Sequence, residues 1–345
     1  MENKEKSCGI KTSIGGQALM EGIMMRGPKR TAMAVRNPQG EIVIEEWDTK
    51  TSNRAKIFKL PIIRGVFAFV DSMVIGYKCL MRSAEISGLE EIEAEERRAK
   101  AAKKAAKAAK RAEKRGEPVP EIVEEDKVEK KESSALSGMV MLVSVVLALA
   151  LVIGLFFWLP TFLYSLLAKL VPAIDGNPFL QSLFEAIIRL ALLIGYMALV
   201  SLMKDIRRTF MYHGAEHKTI FCYEAGLPLT VENVKQQKRF HPRCGTSFLI
   251  IMVLVGLVLS FFIPTSIPKL MRVAIKLLMM PLVMGIGYEF IKLAGKHDNA
   301  FTRIISAPGM WMQNITTIEP DDDMIECAIA AMEKVIPEDG SDKLA

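Results

Sequence analysis

The sequence predicts a mainly α-helical membrane protein with four transmembrane helices, an interfacial helix and a small cytoplasmic α+β domain formed by both chain ends. Three observations predict it. The 345-residue chain is 50% hydrophobic with a mean hydropathy of +0.24, too apolar for an ordinary soluble protein. Long apolar runs fill its second half. The segments between those runs differ in positive charge, as the loops on the two faces of a bilayer do. The opening MENKEKSCGIK has no apolar core of a leader, so no cleaved signal peptide is expected. Five scattered cysteines fit a reducing cytosolic face.

In chain order, residues 1–56 are expected to form a cytoplasmic glycine-rich loop and β-hairpin. Ile14 to Pro28 carries glycines at 15, 16, 22 and 27 and reads as a packed loop under the hairpin. Gln17, Glu21 and Arg26 are its polar groups, and a sharper reading makes them a binding loop facing the histidines further on. Thr31–Val35 and Glu41–Trp47 read as strands around the turn Asn37-Pro38-Gln39-Gly40. Residues 57–87 are expected to be an interfacial amphipathic helix. Arg64, Asp71 and Lys78 stand seven apart and form one polar stripe opposite Val66, Phe67, Val70, Val74 and Ile75. A true span would bury those charges at about 2.5–3.5 kcal/mol each.

Residues 88–135 are expected to form a charged helix rich in Ala, Lys and Glu and an acidic linker. Residues 97–115 hold ten Lys or Arg against one Glu, leaving 35 basic and 38 acidic residues elsewhere. The whole basic excess thus lies in one segment, read either as a solvated linker or as a grip on anionic lipid or RNA phosphate. No aromatic residue interleaves these charges, which argues against base stacking.

Four apolar segments follow: a transmembrane pair within 136–203 and a second pair within 247–295. Met139–Leu159 is the cleanest, with Pro160 expected to kink it. Phe179–Met203 contains Glu185 and Arg189, four apart and able to neutralise each other. Ser247–Ile263 is short and uncharged, and Met271–Ile291 is bracketed by Arg272, Lys276, Lys292 and Lys296. Residues 204–246 carry eight Lys or Arg, whereas the links 169–178 and 264–270 carry one lysine each. The positive-inside rule therefore places both termini and residues 204–246 in the cytoplasm, with the chain in the plasma membrane. The C-terminal segment, 296–345, reads as a strand at Trp311–Ile318. A helix follows, capped by Asp321, Asp322 and Asp323, running through Ile336 and packing on the hairpin.

The chemistry concentrates in residues 204–246. The stretch from His213 to Cys244 holds three of the four histidines and two of the five cysteines. His213 and His217 share one helical face, with Glu216 beside them. His241-Pro242-Arg243-Cys244-Gly245 then presents a nitrogen and a sulfur on a tight turn. These donors suit zinc. In a closed arrangement His213, His217, His241 and Cys244 fill a structural tetrahedron. In an open arrangement His213, Glu216 and His217 form H-x-x-E-H: the imidazoles bind metal, Glu216 is general base, and Glu289 is a third ligand. His297 and Asp298 are outside candidates. No glycine-rich elbow accompanies Cys222 or Cys244, so a cysteine nucleophile is disfavoured. No phosphate-cradling loop precedes a helix.

The motifs GGQALMEGIMMRGP, HGAEHK, HPRCGTSF and PGMWMQNITTIEP resemble those of the YqhQ-type bacterial membrane proteins, and the resemblance covers nearly the whole chain. It implies a family of unknown function, sometimes labelled a predicted metal-dependent enzyme, with His213, Glu216, His217, His241 and Cys244 as its candidate site. On that pattern the helix at 90–115 is an insertion. The expected function is a metal-dependent, hydrolytic enzyme acting on a membrane-proximal substrate. The competing expectation is a non-catalytic membrane scaffold held by structural zinc.

Overall fold

A computed structural model describes residues 10–49, 58, 60–88, 134–296 and 299–343. The basic segment 97–115 and the candidates His297 and Asp298 lie outside the described residues. By its contacts the chain divides into two units, Gly88–Leu155 and the remainder.

Four antiparallel strands form a meander in the order β1 (Gly15–Leu19), β2 (Gly22–Arg26), β3 (Arg30–Arg36), β4 (Ile42–Asp48). The expected hairpin is β3–β4, with Arg36 opposite Ile42. The glycine-rich stretch is a correction: it forms β1 and β2 rather than a loop. Glycine weakens a strand, but β2 is buried on both faces and packing decides the outcome. Ile23 and Met25 join Ala32 and Ala34 in one core, while Met24 joins Leu19, Met33 and Val35 in another. Two-sided burial also explains why no alternation marks this strand in the sequence.

Helix α1 (Ile63–Ile86) covers the second of those cores through Ile75, Cys79 and Leu80, and leaves Val70, Met73, Val74 and Tyr77 exposed. The expected grouping of Val70 and Val74 with Ile75 on one apolar face is a correction, since Ile75 turns to the sheet instead. Beyond it, α2 (Ser134–Ile153), a π-turn at Gly154–Trp158 and α3 (Leu159–Leu170) make one apolar run, the π-turn lying just before Pro160. Helix α4 (Pro178–Val200) follows, with Asn177 as its N-cap. The Leu142–Leu170 run and α4 are long and apolar enough to cross a membrane. A third candidate is the bent pair α8 (Lys269–Leu278) and α9 (Met280–Lys296), which breaks by 45°. The remaining expected span, α7 (Gly245–Ser260), third in chain order, has 16 residues. At 1.5 Å per residue it reaches about 24 Å, short of a hydrocarbon core of about 30 Å.

Glu185 on α4 is fully buried, and its neighbours extend the expected pairing with Arg189. Thr161 and Gln181 each donate to it at 3.0 Å, Arg189 lies at 3.3 Å, Arg272 at 3.7 Å, and Lys276 pairs with it directly. Arg272 and Lys276 thus turn inward onto a carboxylate rather than marking a helix end. Three cations around one acid hold α4 and α8 together.

The tail brings a further correction. Trp311–Ile318 is not a strand: helix α10 (Ala300–Thr316) runs through it, started by an Asn299–Thr302 capping box. The β-branched run Ile315–Ile318 favours extension, but α10 packs along α7 and only the last residues leave the helix. Helix α11 (Asp322–Glu333) then packs, together with α5 (Lys204–Glu224), on the sheet face opposite α1. Both chain ends meet there: Thr12 bridges to Lys343, and its hydroxyl donates to Asp342 at 2.6 Å.

Glu185→Gln leaves two buried cations, Arg272 and Lys276, and the partly buried Arg189 without a counter-charge. We expect it to lower unfolding stability by about 3–5 kcal/mol. Arg30→Gln, in an exposed pair with Glu46 at 3.7 Å, should change stability by less than about 1 kcal/mol. Thermal unfolding of purified protein in detergent compares the two, and equal effects would show that Glu185 is no keystone.

Candidate metal centre

Helix α5 forms because nothing breaks it between Lys204 and Glu224, and it sets His213, Glu216 and His217 on one face. Gly214 on the same helix is needed for a close approach. A Cβ there would strike the carbonyl of Ile318, whose N–H donates to Phe210 O at 2.9 Å. That contact lays residues 316–318 along α5 and brings the Thr316 carbonyl to His213 Nδ1 at 2.8 Å. The Arg239 carbonyl meets His217 Nδ1 at 2.5 Å. A carbonyl only accepts, so both Nδ1 atoms carry a proton and Nε2 is the nitrogen each ring would offer a metal ion. Metal-binding histidines are held in this way.

Cys244 completes the group. It is the N-cap of α7, its sulfur receiving the Thr246 N–H at 3.4 Å, and it lies 3.2 Å from His213 Nε2. One donor atom each from His213, His217 and Cys244 lie within 4.8 Å of one another. A tetrahedral ion with N and S ligands has N···S edges of about 3.6 Å, so the donor set fits a metal ion.

The turn carrying Cys244 is fastened by Gln313, which is fully buried on α10. Its side chain accepts from His241 N at 2.7 Å and donates to His241 O at 2.8 Å. Sequence reasoning missed this residue, having assigned its segment to a strand. Its place within PGMWMQNITTIEP was the available signal.

The two remaining predicted ligands stand elsewhere. His241 is buried, but its Nδ1 accepts the Arg243 N–H at 3.3 Å and its Nε2 faces Arg243 at 3.2 Å and Glu224 at 3.9 Å. It packs beside His217, with ring centroids 5.5 Å apart, without joining the donor group. Glu289 is held by Arg64 of α1, with Nε at 2.7 Å. Cys222 points its sulfur at Pro228 O, 3.5 Å away, within the core under α11.

Glu216 is buried beside the donors and accepts the Gly16 N–H at 3.0 Å. A Cβ on Gly16 would stand 2.7 Å from Met24 O and 3.0 Å from Glu216 Cδ, so only glycine lets β1 reach the carboxylate. Burial raises the Glu216 pKa, against the pull of both histidines. Burial works against charge on Cys244 and His213 too, but their mutual attraction wins. Cys244 falls well below the ordinary thiol value and His213 rises to about 9.

In metal-free protein, therefore, Cys244 is expected to be a thiolate at neutral pH. His213→Ala should slow its alkylation by iodoacetamide by roughly tenfold or more. An unchanged rate would mean that the pair is not formed.

A family profile described as "Protein of unknown function (DUF1385)" matches residues 60–338. The uncharacterized protein YqhQ of Bacillus subtilis (strain 168) is 33% identical over 333 residues, covering 95% of this chain and 93% of that protein. No solved structure matches. The chain belongs to the DUF1385 family of proteins of unknown function.

Proposed function

We propose that the protein is a metal-dependent hydrolase acting on a substrate presented at the membrane surface. The observation that carries the reading is the three-donor group of His213, His217 and Cys244, with both imidazoles oriented by backbone carbonyls. Three protein ligands leave an open coordination position, as catalytic sites do, whereas a structural site is filled. The mixed N and S donors favour zinc. When bound, that ion supplies Lewis acidity and lowers the pKa of a coordinated water.

This chain's own residues do the rest. Glu216 is fixed by the Gly16 N–H and biased toward holding a proton, which suits it to take one at a reacting centre and return it to a leaving group. Thr316 and Arg239 keep the imidazoles in one tautomer. His241, with Arg243 and Glu224, shapes the turn. The site faces the cytoplasm in this reading, with four crossings, α7 being the third. The contrast of eight basic residues in 204–246 with one in each opposite link supports that orientation.

Metal analysis under reducing purification should find one equivalent per chain. His213→Ala, His217→Ala and Cys244→Ala should each lose it, and His241→Ala and Glu289→Gln should retain it. Glu216→Gln should retain metal and fold yet fail to complement a deletion strain. Wild-type protein without stoichiometric metal would overturn the reading and leave a scaffold.

Orientation is tested separately by a membrane-impermeant thiol reagent on intact cells. It should label a cysteine placed at Ala173, which is exposed, and not one placed at the exposed Glu232. The reverse pattern would invert the topology.

A further inference from the structure

Two clefts open between the sheet and α1, on the side of β1 away from Glu216. One of about 460 Å³ is lined by Gly16, Gln17, Met24, Arg26, Ser72 and Ile75 among others. The second, about 360 Å³, includes Met33, Trp47, Lys78 and Arg82 and shares Arg26, Thr49 and Ile75 with the first. They adjoin at Arg26. Gly16 forms the wall between the larger cleft and the Glu216 carboxylate, to which it donates its N–H.

The charges in these clefts are unbalanced. Glu45 is taken up by Arg82, with Nε at 2.9 Å. Arg26 is half-buried and has no acidic partner among the described residues, and neither has Lys78, which leaves Asp48 as the other uncommitted charge. A half-buried guanidinium lacking an acceptor asks for an oxyanion, whose two oxygens match its fork of donors. Apolar Met24, Met33, Ile75 and Trp47 continue the walls. The same helix that lines the clefts with Ser72, Ile75 and Lys78 exposes Val70, Met73, Val74 and Tyr77 on its other side.

We propose that this double cleft binds an anionic amphiphile ending in a phosphomonoester, with its terminal phosphate on Arg26 and its apolar part along Met24, Met33, Ile75 and Trp47. A free phosphate satisfies Arg26 but not those walls. A molecule drawn from the bilayer beside α1 satisfies both. That this ligand is also the substrate rests on the hydrolase reading. That the cleft binds it does not.

The test reads binding rather than turnover. Trp47 is one of three tryptophans, so Trp158→Phe with Trp311→Phe leaves it as the sole reporter. In phosphatidylcholine nanodiscs, its emission should change saturably with dihexanoyl phosphatidic acid. Dihexanoyl phosphatidylcholine should produce no saturable change, and inorganic phosphate should bind at least roughly tenfold more weakly. Arg26→Gln should weaken phosphatidic acid binding roughly tenfold or more, and Arg26→Lys by less, with thermal unfolding unchanged in both. Equal affinity of wild type and Arg26→Gln, or of the two lipids, would overturn the proposal. Inorganic phosphate binding as tightly as the lipid would overturn the amphiphile. Repeating the titration on chelated protein and on Glu216→Gln separates this result from the fate of the metal reading, since binding at Arg26 should survive both.

Discussion

The donation of two ring N–H groups to two backbone carbonyls is the constraint on which the rest of this structure depends. His213 reaches Thr316 O and His217 reaches Arg239 O, so one helix is read by two segments that lie far apart in sequence. Each carbonyl arrives for a separate physical reason. Thr316 comes because Gly214 gives room for Ile318, and Arg239 comes with the turn that Gln313 clamps from α10. The donor group therefore exists only when α5, α7 and α10 are docked together. Fixed tautomers and directions of this kind give a metal site its affinity before any ion arrives.

The apolar helices carry a separate electrostatic commitment. Glu185 lies fully buried among Arg189, Arg272 and Lys276, at the opposite end of α7 from Cys244. By helix rise that is about 24 Å away. Burying such a group is costly and breaking it is costlier, so it locks α4 and α8 in register more than it adds net stability. It also joins the helices that the sequence shows as separate spans. One end of the assembly is thus tied by charge and the other by backbone geometry.

Much of this was legible because it is local. The β3–β4 hairpin is written in its turn, and the His213–Glu216–His217 face follows from helical spacing. The division of α1 was not legible: Ile75, read on one face with Val70 and Val74, turns to the sheet while those two stay exposed. What escaped was set by tertiary context. β1 and β2 are glycine-rich because β1 must approach Glu216 and β2 is covered on both faces, and neither fact leaves a period. Trp311–Ile318 has strand-forming residues in a segment that α7 holds as helix. His241 has the spacing of a zinc knuckle, but Arg243 and Glu224, one of them 17 residues upstream, take its nitrogens. Glu289 has the depth of a ligand, but Arg64, 225 residues earlier, is in reach of it.

The central claim is a three-ligand centre with an open position, and X-ray absorption of the zinc-loaded protein in lipid tests it most directly. The account predicts one sulfur, two imidazole nitrogens and one light-atom donor of water type around the ion, unchanged in His241→Ala. Three imidazoles with one sulfur, reduced to two by His241→Ala, would contradict it and make the site a closed structural staple.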